Sequence, residues 1–377
     1  MPLRADRMIV RDVHDVLESW APKEIAWDRD NVGLQVGSMK RRVRRILVAL
    51  DVTDEVLLEA RSKKIDLVIT HHPLLFHPVR SLTPEDRVGR LVHMLARSGI
   101  ALYSAHTNLD FAQDGVSFAL ARRLGLHGLE FLRKDQSVLM KIVTFVPKAH
   151  LEAVASAMAG AGAGTIGDYD DCSFRAEGTG TFKARTGAKP FTGGVNRLEK
   201  VDEVRLEMVL PRWRAEEVVR ALRAAHPYEE VAYDLYHLAN KGESYGAGAI
   251  GTLRRTMPLP AFLRHVERSL RVACVRYSGR PRQTVRRVAV CGGSGSDLLA
   301  AAIQRGADAF VTSDCSYHLF QECDNRLALV DAGHYETEQP VVARIVEHLQ
   351  QHLGGPRKGV KVYPSSRMKN FVQYHMS

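Results

Sequence analysis

Three stretches of the sequence present histidine where chemistry could be done. His71-His72 follows the apolar run IDLVIT, His106 follows GIALYSA with Asp110 four residues on, and His334 follows LALVDAG with Glu338 four residues on. On a helix or turn, a spacing of four points two side chains the same way, so each His-x-x-x-acid pair can aim at one point. Six nitrogen and oxygen donors, two of them carboxylates able to bridge, suit a pair of divalent transition ions. Adjacent histidines do not easily share one ion, so His71 and His72 read as one ligand for each of two. A single histidine after a strand more often serves a turn or a core; it is the recurrence at three strand ends that points to metal. The set contains no cysteine, which favours a catalytic or exchangeable site over a structural thiolate zinc.

Weaker signals surround this set. The loop GGSGS at 292–296, with Ser294 at its centre, follows a strand and opens a helix. Its backbone N–H groups could hold a phosphate, but it matches neither a dinucleotide nor a Walker pattern, and a plain tight turn explains it as well. His77 in HHPLLFHP could approach the ions or simply pack its loop. Asp314 and His318 in SDCSYH, and Glu336 between His334 and Glu338, stand where they could brace a ligand or meet a substrate. The run KRRVRR at 40–45 reads as a solvated approach to a strand. The stretch 276–287, with five arginines and no acid, is the better anion-facing patch.

The elements that must position these residues are alternating strands and helices. Strand-like runs at 45–51, 65–70 and 99–104 alternate with helical patterns at 10–20, after Thr53, at 86–97 and at 116–124. Buried strands alternating with helices imply a parallel sheet covered on both faces. In such sheets, sites form beyond the carboxyl ends of the strands, where all three histidine clusters fall. The pattern resumes after 246 with strands at 246–253, 285–291, 309–312 and 327–331 and helices at 259–270 and 337–350. Between them, strand signals at 139–147, 203–210 and 231–235 alternate with helices at 149–159 and 215–225, and β signals lie within 160–194. That is the split βαβ, ferredoxin-like order. The expected organisation is an α/β core from 1–127 and 246–377 carrying an inserted α+β module at 128–245.

Composition sets the class. The 377 residues are 45% hydrophobic and 25% charged, enough apolar material for sizeable cores. No apolar run approaches about 18 residues, which argues against a membrane-spanning chain, and no apolar segment follows the basic N-terminal residues as in a secretory signal. Five widely spaced cysteines without a C-x-x-C fit reduced thiols and a cytoplasmic chain. The net charge of +10 favours an anionic partner, a nucleotide or a nucleic acid. Sixteen basic against ten acidic residues fall in 256–377, so much of the surplus travels with His334 and Glu338.

The blocks DNVGLQVG (30–37), DLVITHHPLLF (66–76), SAHTNLD (104–110), GGSGS (292–296), VTSDCSYH (311–318) and DAGHYETE (331–338) together resemble the GTP cyclohydrolase I type II homologue family, also called NIF-three-like proteins. The resemblance implies two divalent metals per subunit, held by residues matching His71, His72, Asp110, His334 and Glu338, with His106 a further metal-site histidine. It leaves Zn, Fe, Mn, Co and Ni open. It implies a toroidal homohexamer with its metal sites facing an interior cavity. GTGTFKARTGAKPFTG (178–193) and HPYEEVAYDLY (226–236) resemble the PII/CutA-like insert of the longer members. Two departures lie outside the ligand set: Trp27 does not immediately precede Asp30, and Ser313 replaces a frequent glycine.

The family name implies hydrolytic opening of a GTP purine ring. The expected function is a dinuclear metal-dependent hydrolase acting on a nucleotide or related anionic small molecule. The alternatives are a metal-handling protein without turnover and a nucleic-acid-associated ring.

Overall fold

The computed structural model describes residues 8–134, 138–240, 245–280, 282–353 and 359–375. It has two compact units, Met1–Lys134 with Glu243–Ser377, and Asp135–Gly242.

The first unit holds two sheets. In the five-stranded sheet, Ala101–Ser104, Leu67–Thr70, Arg45–Ala49 and Lys361–Pro364 run parallel, and Gly33–Val36 adds antiparallel at one edge. Leu67–Thr70 and Ala101–Ser104 are buried throughout, as a sheet covered on both faces requires. One face is covered by Val10–Trp20 and Pro340–Leu353, whose Val13, Leu17, Ile345 and Leu349 meet Ile46, Val48 and Ile69. The other is covered by Asp54–Ser62 and Arg87–Ser98, through Val56, Leu57, Leu91 and Leu95 against Leu47, Val68 and Leu102. Thr53 caps the first of these helices through Val56 N–H, Asp86 caps the second through Gly89 N–H, and Gly99 closes it at φ +62°. Register is what matters for function. Thr70 pairs with both Ala49 and Ser104, so the chain leaves adjacent strands at one level and His71 and His106 emerge side by side.

The six-stranded sheet has the order Arg276–Tyr277, Ala328–Asp331, Ala309–Ser313, Thr284–Ser294, Gly246–Pro258 and His127–Lys134. Its middle strands Ala328–Asp331, Ala309–Ser313 and Thr284–Ser294 are parallel and the outer pairings antiparallel. Thr312 lies level with Asp331 and Ser313 with Ser294. At the other side, Lys134 pairs directly with Gly246.

This unit departs from a single parallel sheet. The strand His127–Lys134 (HGLEFLRK) is charged and half exposed, so it carries no buried-strand signal. The strand from Gly246 runs on to Pro258. The expected helix at 337–350 is two helices, His334–Glu338 and Pro340–Leu353. Pro340 lacks the N–H that would continue the first helix and is tolerated only in a first turn, so a second one starts there.

The C-terminal segment is fastened to this unit by Glu59, a residue only 6% exposed. Its carboxylate accepts from Ser365 Oγ at 2.6 Å, from Ser366 Oγ at 2.9 Å and N–H at 3.2 Å, and from Lys63 Nζ at 2.6 Å. Burial alone would raise its pKa; these donors outweigh it and hold the group at about 2.

The second unit orders its elements as Leu139–Pro147, helix Leu151–Gly160, Phe174–Lys183, Leu198–Pro211, helix Ala215–Ala225 and Tyr233–His237. The four strands form one antiparallel sheet, Phe174–Lys183 beside Leu198–Pro211, then Leu139–Pro147, then Tyr233–His237. This is the split βαβ arrangement. Both helices cover one face, with Val154, Met158, Val218 and Leu222 packed on Ile142, Val146, Leu206 and Leu210.

Two stability predictions follow from buried titratable groups. Glu59 has a depressed pKa, so its contribution is full above the unfolded value near 4.5 and is lost as pH falls toward 2. Chemical denaturation of Glu59→Gln at pH 7 is expected to show a loss of about 1–3 kcal/mol, and the variant loses the acid-side slope that Glu59 gives the wild type below pH 4.5. His348 is 8% exposed and stacks on Trp20 with ring centroids 4.2 Å apart. Burial, then the charges of His352 and Arg344, push it down to about 4. The unfolded chain therefore binds the extra proton between about pH 6.5 and 4, and stability falls on acidification through that window by roughly 2–3 kcal/mol. His348→Phe, which keeps a ring against Trp20, is expected to remove that loss in urea titrations at pH 7 and pH 4.5.

Candidate metal centre

Four histidines and two carboxylates converge beyond the strand ends of the first unit. His71 and His72 follow Leu67–Thr70, and His106 caps the short helix Thr107–Phe111, which carries Asp110. His334 and Glu338 sit at the two ends of the short helix His334–Glu338, set up by the turn after Ala328–Asp331. The ring centroids of His71 lie 5.0 Å from His72 and 5.2 Å from His106, and those of His72 and His334 are 5.4 Å apart. Ligand atoms of His71, His72 and His106 fall within 4.8 Å of one another, as do those of His72, His334 and Glu338.

Glu338 is the hub. It is 4% exposed. Its Oε1 lies 3.1 Å from His334 Nε2 and 3.7 Å from His71 Nε2, and its Oε2 lies 2.9 Å from His72 Nε2. A carboxylate whose two oxygens together face three imidazoles has the reach of a bridging ligand. Asp110 Oδ1 approaches His71 Nε2 at 3.6 Å. Both atoms of that last pair are buried without a hydrogen bond among the described residues. Buried polar atoms are ordinarily satisfied, and here a divalent cation would satisfy both. The donor set, imidazole nitrogen and carboxylate oxygen, fits such an ion.

Each imidazole is tied back through its other nitrogen. His71 Nδ1 donates to the Ala105 carbonyl at 2.9 Å, His72 Nδ1 to Asp51 at 3.0 Å, His106 Nδ1 to Asp30 at 2.9 Å and His334 Nδ1 to Asp314 at 2.6 Å. A proton fixed on Nδ1 leaves the Nε2 lone pair facing the cluster, and such outer partners both orient the ring and raise its basicity. Burial would lower the pKa of His72, but Asp51 and Glu338 outweigh it and push it up to about 10. The same balance, through Glu338 and Asp314, brings His334 to about 9. Glu338 is held well below the usual carboxylate range by His71, His334 and His72 despite its burial. Asp110 goes the other way: burial outweighs His71, and Glu338 adds repulsion, pushing it up to about 7. A divalent cation held here would be met by all of these groups at once.

The remaining candidates separate. Asp314 is the brace of His334. Glu336 accepts from Asn370 Nδ2 at 2.9 Å and does not join the cluster. His77 and His318 are exposed, with their rings against Phe76 and Tyr317. Ser294 is exposed at the end of its strand. The GGSGS loop does not offer free N–H groups at its first two positions: Gly292 N–H donates to Ser117 Oγ at 3.4 Å and Gly293 N–H to Thr337 Oγ1 at 3.0 Å. Gly293 makes room for the carboxylate instead. A Cβ on Gly293 would stand 2.3 Å from Glu338 Oε1, and the residue adopts φ +66°. Asp30 and Asp51 are the two site residues that the sequence reading does not reach. Asp51 had a signal, since it ends a strand as the histidine runs do. Asp30 comes from a separate loop and is brought in only by the fold.

The family description Duf34/NIF3 (NGG1p interacting factor 3) matches residues 8–370. Among curated relatives, a protein named GTP cyclohydrolase 1 type 2 homolog from Bacillus subtilis is 38% identical over 362 residues, covering 96% of this chain and 97% of its own. One of the same name from Mycobacterium tuberculosis is 40% identical over 349 residues, covering 91% and 92%. Among solved structures, a Bacillus cereus protein related to NIF3 superposes with a TM-score of 0.83 at 38% identity, covering 98% of this chain and all of that one. A Staphylococcus aureus protein gives 0.78 at 28% identity, covering 98% and 99%. With the match running almost end to end through every strand that carries a histidine of the cluster, the chain belongs to the Duf34/NIF3 family.

Proposed function

We propose that this protein is a two-metal hydrolase acting on a nucleotide or related anionic small molecule. The observation that carries the reading is the set of four imidazoles, each braced at Nδ1, three of which turn Nε2 toward the buried Glu338 carboxylate, with His71 Nε2 also near Asp110 Oδ1. His71, His106 and Asp110 would hold one ion, His72 and His334 the other, with Glu338 between them. Divalent ions bound there would polarise a substrate oxygen and lower the pKa of water. The chain's own part is to fix the ligands: Asp30, Asp51, Asp314 and the Ala105 carbonyl hold the rings, and Gly293 leaves room for the Glu338 carboxylate. The basic surplus of 256–377 supports an anionic substrate. The names of the relatives direct attention to purine nucleotides. In this reading the chain assembles as a homohexamer and carries its second unit, Asp135–Gly242, as a PII/CutA-like insert, for which the β-α-β-β-α-β order of that unit is the support.

Metal binding and turnover are tested separately. His72→Ala with His334→Ala removes two ligands, and metal analysis of the purified protein is expected to fall by at least one ion per subunit. An unchanged stoichiometry would sink the ligand assignment. For turnover, protein reconstituted with Zn, Fe or Mn is assayed by product chromatography against GTP and a panel of nucleotides. The expected result is metal-dependent hydrolysis that drops about 100-fold or more in the double variant. No turnover across the panel, together with reversible transfer of metal to an apo acceptor, would assign metal handling instead.

A further inference from the structure

The second unit contains a cavity of about 690 Å³ lined largely by the two sequence blocks 178–193 and 226–236, with Phe145, Glu203 and Arg205, none of which takes part in the metal centre. That volume is in the range of small-molecule sites. Its floor is the sheet face turned away from the two helices. Alternation along the strands puts Phe145, Glu203 and Arg205 there, while Val204, Leu206 and Met208 face the helices. Gly178 pairs across the ladder with Glu203, so the floor beside this carboxylate has no side chain. The Glu203 carboxylate leans over Gly180, where a Cβ would stand 2.0 Å from its Oε2. The walls are aromatic: Phe191 and Tyr228, ring centroids 6.0 Å apart, backed by His226 at 4.9 Å from Tyr228.

The polar groups of this cavity have one sign left over. Four carboxylates, Glu177, Glu203, Glu229 and Glu230, face two bases, Lys183 and Arg205. Lys148 neutralises Glu177, Lys189 N–H binds Glu229, and Glu207 takes Arg205. Among the described residues no basic side chain pairs with Glu203. The Tyr228 hydroxyl beside it is buried without a hydrogen bond of regular geometry, and burial with the Glu203 charge pushes this phenol up.

We propose that this cavity binds a small ligand through a flat guanidine-type edge, two adjacent N–H donors forked onto the Glu203 carboxylate with the flat group stacked on Tyr228 and Phe191. A carboxylate accepts such a fork in two parallel bonds, and a guanidinium plane stacks on aromatic faces. Two sources carry this edge: a free guanidinium such as agmatine, and a guanine base. The site is independent of the metal reading.

The test is isothermal titration of the full-length protein with agmatine and guanosine, using putrescine and inosine as partners that lack the fork. The expected result is one-to-one binding of agmatine, guanosine or both, at least tenfold tighter than the matching control. Binding of agmatine alone assigns a free guanidinium and of guanosine alone a nucleobase. Glu203→Gln, which keeps shape and removes charge, is expected to weaken it at least tenfold. Gly178→Leu, whose Cβ meets nothing within 4 Å, fills the floor and is expected to abolish it. Metal content stays unchanged in both variants. If Gly178→Leu impairs folding, Glu203→Gln still decides. The proposal is overturned if neither compound binds, if the controls bind equally, or if binding survives Glu203→Gln; its loss in the His72→Ala, His334→Ala protein would then place the ligand at the metal centre.

Discussion

A carboxylate that is 4% exposed stays ionised only where positive charge or donors surround it, and Glu338 has gathered three imidazoles around its two oxygens. Most of the architecture of the first unit serves that gathering. Level registers in two sheets deliver His71, His106 and the His334 turn to one place. Pro340 ends the short helix two residues after Glu338 and so separates it from the long helix behind. Gly292 is as constrained as Gly293, since a Cβ there would lie 2.5 Å from Val116. A buried charge left unpaired costs several kcal/mol, and the same low dielectric that makes it costly strengthens its binding to a cation.

The orienting carboxylates give the site its stiffness. Asp30 is almost wholly buried and holds three groups at once: His106 Nδ1, Thr107 N–H and Thr107 Oγ1. It thereby couples the loop before Gly33–Val36 to the start of the helix bearing Asp110. Asp314 reaches His334 from the end of the neighbouring strand at φ +56°, a backbone conformation that short polar residues tolerate. Three separate loops therefore set three rings, and none of the rings depends on its own segment alone.

Much of this was legible in the sequence because it is local. The buried strands RILVA, LVIT and ALYS announce themselves by unbroken apolar runs, and the histidines lie immediately beyond two of them. The His334–Glu338 spacing could be read directly as one face of a helical turn. What was hidden is what depends on partners far apart in the chain. His72 stands in both groups of converging side chains, one with His71 and His106 and one with His334 and Glu338, which adjacency to His71 alone does not reveal. The braces Asp30 and Asp51 lie 76 and 21 residues from their histidines. The GGSGS loop has the composition of a phosphate cradle, yet its glycines are explained by close packing: Val116 at Gly292, Cys291 at Gly295, and at Gly293 a carboxylate from 45 positions downstream. In the second unit, the strand Leu198–Pro211 begins five residues before the expected start at Glu203, in the charged and largely solvated run LEKVD, so no apolar pattern marks its start.

The pairing of Lys134 with Gly246 has an evolutionary consequence. The chain departs from the first unit and returns to it on two neighbouring strands, so the intervening hundred or so residues occupy the place of a hairpin turn. A ladder closed by a turn and one closed by a whole folded module present the same ends to the rest of the sheet. Ancestors of this chain could therefore have acquired, exchanged or lost the module by a single event at the hairpin tip. Selection on the module and selection on the histidine cluster could then proceed separately.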